Sequence, residues 1–376
     1  MAEPRFAEYA RNSPTSAAAK PSKPQEQTSN LPPESKGAMA TECQGSSDNC
    51  RPSSVLFENP SKSLVVIDIP SSLEESQVLP SQIPRLRIVS AEPPAAPYPN
   101  PEPRHGRDDP SAVASPAAQL AELMTTAAVN SALQDLAVSF PGPFHRPRVL
   151  QPQAPLLSGL PPVLPEKAEP LHGSIEDLCD SFHMSAPLFN LVVLDPPWPN
   201  RSARRKTDKY ATVRNLDDMR SLLLHIPLAS HLAQDGLVAV WITNKPSIQA
   251  FLTSPMGLFA AWGLEVVTEW TWLKVAASGE PLYDVDSAWR KPWEKLVIAK
   301  RTGSKKPDAL NSRVIVAVPD VHSRKPNLRG LFQDILGEGF LGLEIFARNL
   351  TAGWWSWGDE VLRFQQPEHW TETEDM

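Results

Sequence analysis

The stretch Phe189-Asn190-Leu191-Val192-Val193-Leu194-Asp195-Pro196-Pro197-Trp198 decides how the chain is read. Its first six residues are almost wholly apolar and too few for a helix, which suits a strand covered on both faces. Asp-Pro-Pro-Trp follows without a break, a tetrapeptide that average usage produces in roughly one chain in a thousand. Two prolines remove two backbone donors and fix φ, so the Pro196 carbonyl is held in a rigid turn. Asp195 adds a carboxylate, and two acceptors then lie close together beside the flat face of Trp198. An exocyclic amine on a heteroaromatic base offers the matching pair of donors and a π-surface. Such an amine is a poor nucleophile because its lone pair is delocalised into the ring. Accepting both N–H groups on one side leaves the nitrogen facing an electrophile, which is catalysis by positioning and fixed dipoles. A stacked base must leave its stack to reach such a pocket, and Trp198 can replace the lost stacking. The competing reading makes Asp195 a helix cap and Trp198 a core residue.

C-terminal to this stretch, Arg201-Ser-Ala-Arg204-Arg205-Lys206-Thr-Asp208-Lys209 sets five cations against one acid. Beside a base pocket they suit phosphates, in a salt-sensitive and base-independent way; a solvated loop is the alternative. Lys300-Arg301 and Lys305-Lys306 read as a solvated loop. The pattern predicts a helix over 216–233 opened by Asn215 or Asp217, a strand over 236–242, and a helix over 247–261 interrupted near Pro255-Met-Gly257. Strands over 264–273, 295–299 and 313–318 follow, then a helix over 327–336 behind Pro326 and strands over 343–346 and 360–364. Strands alternating with helices make an α/β domain with a mostly parallel sheet, whose ligands bind beyond the carboxyl ends of the strands. Gly337-Glu-Gly339-Phe-Leu-Gly342 matches a dinucleotide fingerprint in letters only. It follows a helix and precedes a strand, so it reads as a helix stop and turn.

The N-terminal half differs. Of 41 prolines in the 376 residues, 28 lie in residues 1–170, whereas all 11 tryptophans lie between Trp198 and Trp370. A Pro-rich half without tryptophan is poorly equipped to bury a core. Residues 1–53 are expected to be disordered. Residues 54–80 read as an island of two strands around a turn plus a short helix capped by Ser71 or Ser72. Residues 81–170 read as a Pro-rich linker with one helix at about 115–138, opened by Ser115-Pro116, with Leu120, Leu123, Ala127, Leu133 and Leu136 on its apolar face. Both islands are too small to fold alone and are expected to dock on a main domain over 171–370, which an acidic tail, 371–376, follows. The net charge of -7 comes wholly from residues 1–187, leaving the second half neutral. No apolar run approaches the ~20 residues of a membrane span, and the first residues lack a secretory pattern. Cys43, Cys50 and Cys179 read as reduced thiols, and no ligand spacing points to a metal.

Five segments in fixed order over roughly residues 170–370 resemble the N6-adenine methyltransferases related to the messenger-RNA adenosine methylating enzyme, most of all their methyltransferase-like protein 4 branch. They are Asp195-Pro-Pro-Trp198, Arg290-Lys-Pro-Trp-Glu294, Val321-His-Ser-Arg-Lys-Pro326, Leu343-Glu-Ile-Phe-Ala-Arg-Asn349 and Gly353-Trp-Trp-Ser-Trp-Gly-Asp-Glu-Val361. The resemblance implies a Rossmann-like, S-adenosylmethionine-dependent fold with permuted motif order, the tetrapeptide preceding the strand that binds the cofactor. It implies that Asp195 and Pro196, with Pro197, orient the amine while Trp198 packs on the base. Ser174 and Ile175 would lie near the cofactor's adenine, and His322, Ser323, Arg324 and Lys325 near its amino-acid end. Asn349 would bind its ribose with help from Thr351, and Asp195 and Glu344 are further cofactor candidates. Arg201, Arg204, Arg205, Lys206, Lys209 and Lys291 join Trp198 as substrate candidates. Structural roles stay open for His322, Glu344, Arg348 and a Lys291–Glu294 pair. Two positions depart from the family pattern: Arg324 stands where relatives often carry histidine, and Asp359 where they often carry asparagine. The implied substrate is adenine in nucleic acid, RNA ahead of DNA, as adenosine or 2′-O-methyladenosine such as occurs in small nuclear RNA. DNA adenine methylation and a non-catalytic, nucleic-acid-binding partner role are the alternatives. A nuclear monomer without metal or membrane attachment is expected.

Overall fold

The computed structural model describes residues 54–100, 115–150, 160–199, 215–287 and 290–373. The first described elements are a hairpin, β1 (Val55–Glu58) and β2 (Leu64–Ile67), closed by Asn59, whose Oδ1 accepts from the N–H groups of Ser63 and Leu64. Asp68, not Ser71 or Ser72, caps α1 (Ile69–Ser76), accepting from the Ser71 N–H. The helix starts early because Pro70 in its first turn has no donor to satisfy. After β3 (Leu86–Ile88), Ser115 caps α2 (Pro116–Ser139) with Pro116 leading it. The face that α2 buries is Thr125, Val129, Ala132 and Leu136; Leu120 and Leu123, expected inside, are exposed. An Ala-rich helix looks amphipathic on more than one face, and the sheet covers only the part from Thr125 onward.

Next come β4 (Glu169–His172), α3 (Ile175–Ser185), β5 (Phe189–Leu194), α4 (Leu216–His225), α5 (Leu228–His231) and β6 (Leu232–Ile242). The helix expected through residue 233 breaks at Pro227, and the chain is already strand at Leu232. Then follow α6 (Pro246–Thr253), α7 (Leu258–Ala261), β7 (Leu264–Lys274), β8 (Trp293–Arg301), β9 (Arg313–Ala317), α8 (Arg329–Leu336), β10 (Gly342–Ile345), β11 (Trp355–Gly358) and β12 (Trp370–Glu372). The strand expected at 360–364 is instead a loop with a 3-10 turn at Arg363–Gln365, and its place in the sheet is taken by β11. The backbone turns back on itself here, the Val361 N–H donating to Gly358 O and the Arg363 N–H to Glu360 O, and Val361 packs with Ala347 and Leu350 instead of beside a strand. Gly337 and Gly339, both at positive φ, end α8 and turn the chain into β10, as the helix-stop reading of that glycine run requires.

The large sheet has the order β1-β2-β9-β7-β8-β6-β5-β10-β11-β4; β3 and β12 form a separate pair. All its strands run one way except β8 and the edge strand β1. The first island thus extends the sheet itself, through β2 beside β9. Alternate residues of β5 feed two cores. Val192 and Leu194 meet α3 to α7, while Leu191 and Val193 lie on the side of α1 and α8. The chain leaves β5 toward β6 on one side and returns as β10 on the other, so the topology switches between β5 and β10. The carboxyl ends of β4, β5, β6, β7, β9, β10 and β11 share one rim, and β8 starts from it because it runs the opposite way. Among the described residues no helix is long and apolar enough to cross a membrane, and no three metal-type ligands converge.

Candidate active site

Asp195 leaves β5 at the switch point. Its N–H donates to Ile345 O at 3.3 Å, one residue past the end of the β5–β10 pairing. Pro196 and Pro197 have no N–H, and the next donor, the Trp198 N–H, turns back onto Pro196 O at 2.8 Å. The indole is anchored as well: Trp198 Nε1–H donates to Trp241 O at 2.8 Å, and the ring meets Phe251 edge-on. The tetrapeptide is therefore a braced turn.

Cations surround the carboxylate. Lys325 Nζ donates to Asp195 Oδ1 at 3.1 Å and Oδ2 at 3.0 Å, and Arg348 Nη1 lies 3.3 Å from Oδ2. A carboxylate has about four lone-pair sites and a carbonyl two. After these bonds Asp195 and Pro196 O each retain one, which is what an amine with two N–H groups needs. The network runs outward on both sides. Lys325 also binds Glu294 at 3.2 Å, and Glu294 binds Lys274; Arg348 Nε binds Glu360 at 3.1 Å. Burial works against the charge on Lys325, but Asp195 and Glu294 outweigh it and raise its pKa. Burial likewise opposes the charge on Glu294, but Lys325 and Lys274 hold its carboxyl at about 2.

Behind Lys325 is a cavity of about 20 Å³, whose polar lining is Lys325, Asn327, Glu344 and Asn349. Burial, aided by the Asp195 charge and opposed by Arg348 and Lys325, pushes the Glu344 carboxyl up to about 7. That volume takes about one water-sized group, so it can receive a hydroxyl edge but not a whole nucleoside. Asn327 stands at the back, its Nδ2 donating to Thr351 Oγ1 at 2.8 Å. Thr351 is fully buried and offers that cavity a support rather than a free hydroxyl.

Asp195, Trp198, Lys325, Glu344 and Asn349 are thus gathered at one place. His322 and Ser323 lie on the β9 side of the same rim, joined by a 2.9 Å bond, with Ser323 at φ 78°. Burial first, then Arg348, Lys274 and Lys325, lowers the His322 pKa. Ser174 caps α3 at the end of β4, accepting from the Asp177 N–H at 3.0 Å, and the Ile175 side chain points into the core.

Two expected contacts are otherwise committed. Arg324 is fully buried, donating to Asp320 Oδ2 and Val89 O at 2.7 Å, with its guanidinium 4.6 Å from the Phe364 ring centre. It braces the loop after β9 and has no face for a cofactor. Lys291 binds Glu122 of α2 at 2.8 Å and Val285 O at 3.1 Å, so its partner is α2 rather than Glu294 or a substrate. Arg201, Arg204, Arg205, Lys206 and Lys209 lie outside the described residues. Lys300 and Arg301 are not a solvated pair: Lys300 binds Glu265, and Arg301 donates to the carbonyls of Ala229, Leu232 and Ala233. Lys274, Asn327 and Glu360 were not among the expected site residues. Lys274 and its partner Glu294 stand at the rim ends of β7 and β8, but both strands carry other charged residues, so nothing in the local sequence singles them out.

The MT-A70 family model matches residues 189–360, which contain this constellation. The chain is 52% identical over 328 residues to the N6-methyladenosine RNA methyltransferase MTA1 of Cryphonectria parasitica, covering 85% of this chain and 95% of that protein. To MTA1 of Pyricularia oryzae it is 43% identical over 367 residues, with 85% and 96% covered. To the N(6)-adenine-specific methyltransferase METTL4 of Mus musculus it is 37% identical over 193 residues, with 48% and 39% covered.

Proposed function

The chain belongs to the MT-A70 family, and on that premise we propose that it is an N6-adenine methyltransferase acting on RNA with S-adenosylmethionine as methyl donor. The observation that carries this reading is the pair of free acceptor sites on Asp195 and Pro196 O, held rigid beside the cavity of Lys325, Glu344 and Asn349. The donor set fits the cofactor. The Glu344 carboxyl and Asn349 amide suit ribose hydroxyls, and the Lys325 ammonium suits a carboxylate. When bound there, S-adenosylmethionine supplies an electrophilic methyl group, so the protein need not generate a strong nucleophile. Asp195 and Pro196 O hold the adenine amine by its two N–H groups, and the anchored Trp198 ring packs on the base. Lys325 and Arg348 keep the Asp195 carboxylate from rotating away. The tetrapeptide comes earlier in the chain than Lys325 and Asn349, which is the permuted order this reading entails.

The test is methyl transfer from labelled S-adenosylmethionine to matched RNA and DNA oligonucleotides, together with titration calorimetry of the cofactor. Asp195→Asn keeps an acceptor for Lys325 but weakens the grip on the amine, and should lower kcat by at least a hundredfold with cofactor affinity changed only a few-fold. Asp195→Ala is the less clean variant, since it also releases Lys325 into the cofactor cavity. Undiminished turnover in Asp195→Asn removes the mechanism. Transfer to DNA alone replaces RNA as substrate, and absence of any cofactor heat from the parent protein makes the chain a non-catalytic partner.

A further inference from the structure

The loop between β7 and β8 is clipped to the Pro-rich segment that precedes α2. Ala277 N–H donates to Pro94 O at 2.8 Å, Tyr98 N–H to Leu282 O at 2.9 Å, and Asp284 N–H to Asn100 Oδ1 at 3.3 Å. The clip sets Tyr98 against Tyr283, with ring centres 5.6 Å apart and planes tilted by 47°. Arg290 completes the group, its guanidinium 4.8 Å from the centre of the Tyr283 ring. Tyr98 is 46% exposed, Arg290 is exposed, and neither tyrosine belongs to a hydrophobic core. Two aromatic rings and a guanidinium are thus ordered at the surface by backbone bonds, at an entropic cost that a solvated loop need not meet.

The group is rooted in the active-site rim. Leu282 N–H donates to Lys274 O at 2.9 Å, and Lys274 N–H to Pro292 O at 2.7 Å. Lys274 leads through Glu294 and Lys325 to Asp195. Tyr283 follows the residue paired with Lys274, which puts its backbone within about 30 Å of Asp195 by chain and side-chain reach. An exposed ring, Tyr98, packed on a second ring that carries an arginine matches the chemistry by which proteins hold unpaired bases: the ring stacks on a π-face, and the cation neutralises a phosphate.

We propose that Tyr98 and Tyr283, with Arg290, form a stacking platform for a base of the single-stranded nucleic acid that flanks the target adenine. The proposal rests on the N6-adenine reading above and adds how the substrate is held away from the reacting base. Tyr98 makes the Pro-rich segment part of the substrate site. The competing role is apolar glue that fastens the clip, and the variants Tyr98→Leu and Tyr98→Trp separate the two. Leucine keeps apolar packing and loses the π-face; tryptophan keeps the π-face.

The experiment measures anisotropy of a fluorescent single-stranded oligoribonucleotide containing one adenine, and methyl transfer to the same oligonucleotide and to shorter ones, on the full chain. Tyr98→Leu should weaken binding and raise KM about tenfold, with kcat moving much less, and Tyr98→Trp should restore both. The gain in kcat/KM on lengthening the oligonucleotide should shrink in Tyr98→Leu. Arg290→Ala should weaken binding and flatten its salt dependence. Parent-like binding by Tyr98→Leu, or equal loss in the leucine and tryptophan variants, overturns the platform. If the parent transfers no methyl group to any oligonucleotide, the activity reading fails on its own, while anisotropy still decides the platform.

Discussion

Glu294→Gln asks whether the ion network holds Lys325 in place. The Glu294 carboxyl, held at about 2 by Lys325 and Lys274 despite its burial, lies well below the ordinary 4.5. A difference of about 2.5 units at ~1.36 kcal/mol each is worth about 3 kcal/mol. The side chain is 25% exposed, so solvent screening removes only part of that. The folded value lies below the unfolded one, so this stability is present above about pH 4.5 and is lost as pH falls toward about 2. At pH 7.5 the variant should lose about 2–3 kcal/mol and, for a domain of this size, about 5 °C in Tm. Lys325 then answers to Asp195 alone and competes harder for the acceptor site that the amine needs, so methyl transfer should fall further than cofactor affinity does. Guanidinium melts followed by tryptophan fluorescence at several pH values, with transfer kinetics alongside, measure both. A loss below 1 kcal/mol at pH 7.5, or one that stays constant as pH drops from 5 to 3, refutes the reasoning.

Glu344 gives the opposite pH sign. Its folded value of about 7 exceeds the ordinary 4.5, so stability is greatest below about pH 4.5 and falls as pH rises through about 7, by up to ~3 kcal/mol. Glu344→Gln should flatten that slope in melts at pH 5 and pH 8 while weakening cofactor binding by calorimetry. Gly342→Ala should destabilise the sheet by about 1–3 kcal/mol, because a Cβ there would stand 2.3 Å from the buried Trp354 ring; Trp354 also lines the cavity of Lys325, Glu344 and Asn349 proposed to receive the cofactor's hydroxyls, so on that proposal cofactor affinity should drop in the same variant.

What the sequence discloses and what it hides follow one physical distinction. β5 is legible because a strand covered on both faces is apolar throughout, and the turn after it because two prolines and a tryptophan leave few local conformations. Glu360–Phe364 misleads: Val361 and Leu362 look like a strand, but the backbone N–H groups of Val361 and Arg363 bond back to Gly358 O and Glu360 O and close a turn instead. Arg324 misleads for a longer-range reason. Beside Lys325 it looks like a second ligand cation, and only the approach of Val89 from a distant part of the chain, joining Asp320 four residues before it, shows that it faces inward. Lys274 is invisible as a site residue until β7 and β8 are paired, since its partner Glu294 lies twenty residues on. Local chemistry reads from local sequence; ion pairs between strands do not.

The same distinction explains why this site can work by positioning. Its acceptors are fixed by two independent means. Pro196 O is set by covalent restraint and the Trp198 N–H, both written in four adjacent residues. The Asp195 carboxylate is set by Lys325 and Arg348, delivered by the loops after β9 and β10. A weak nucleophile gains from such a grip only if both acceptors hold still together, because one loose oxygen lets the amine rotate its lone pair away from the methyl donor. Loosening the ionic half should therefore cost turnover even with the tetrapeptide intact. Arg348→Lys, which keeps the charge but gives up the planar fork that spans Asp195 and Glu360, should lower kcat by at least tenfold while altering oligonucleotide KM little. An unchanged kcat would mean that Lys325 alone is enough to hold the carboxylate.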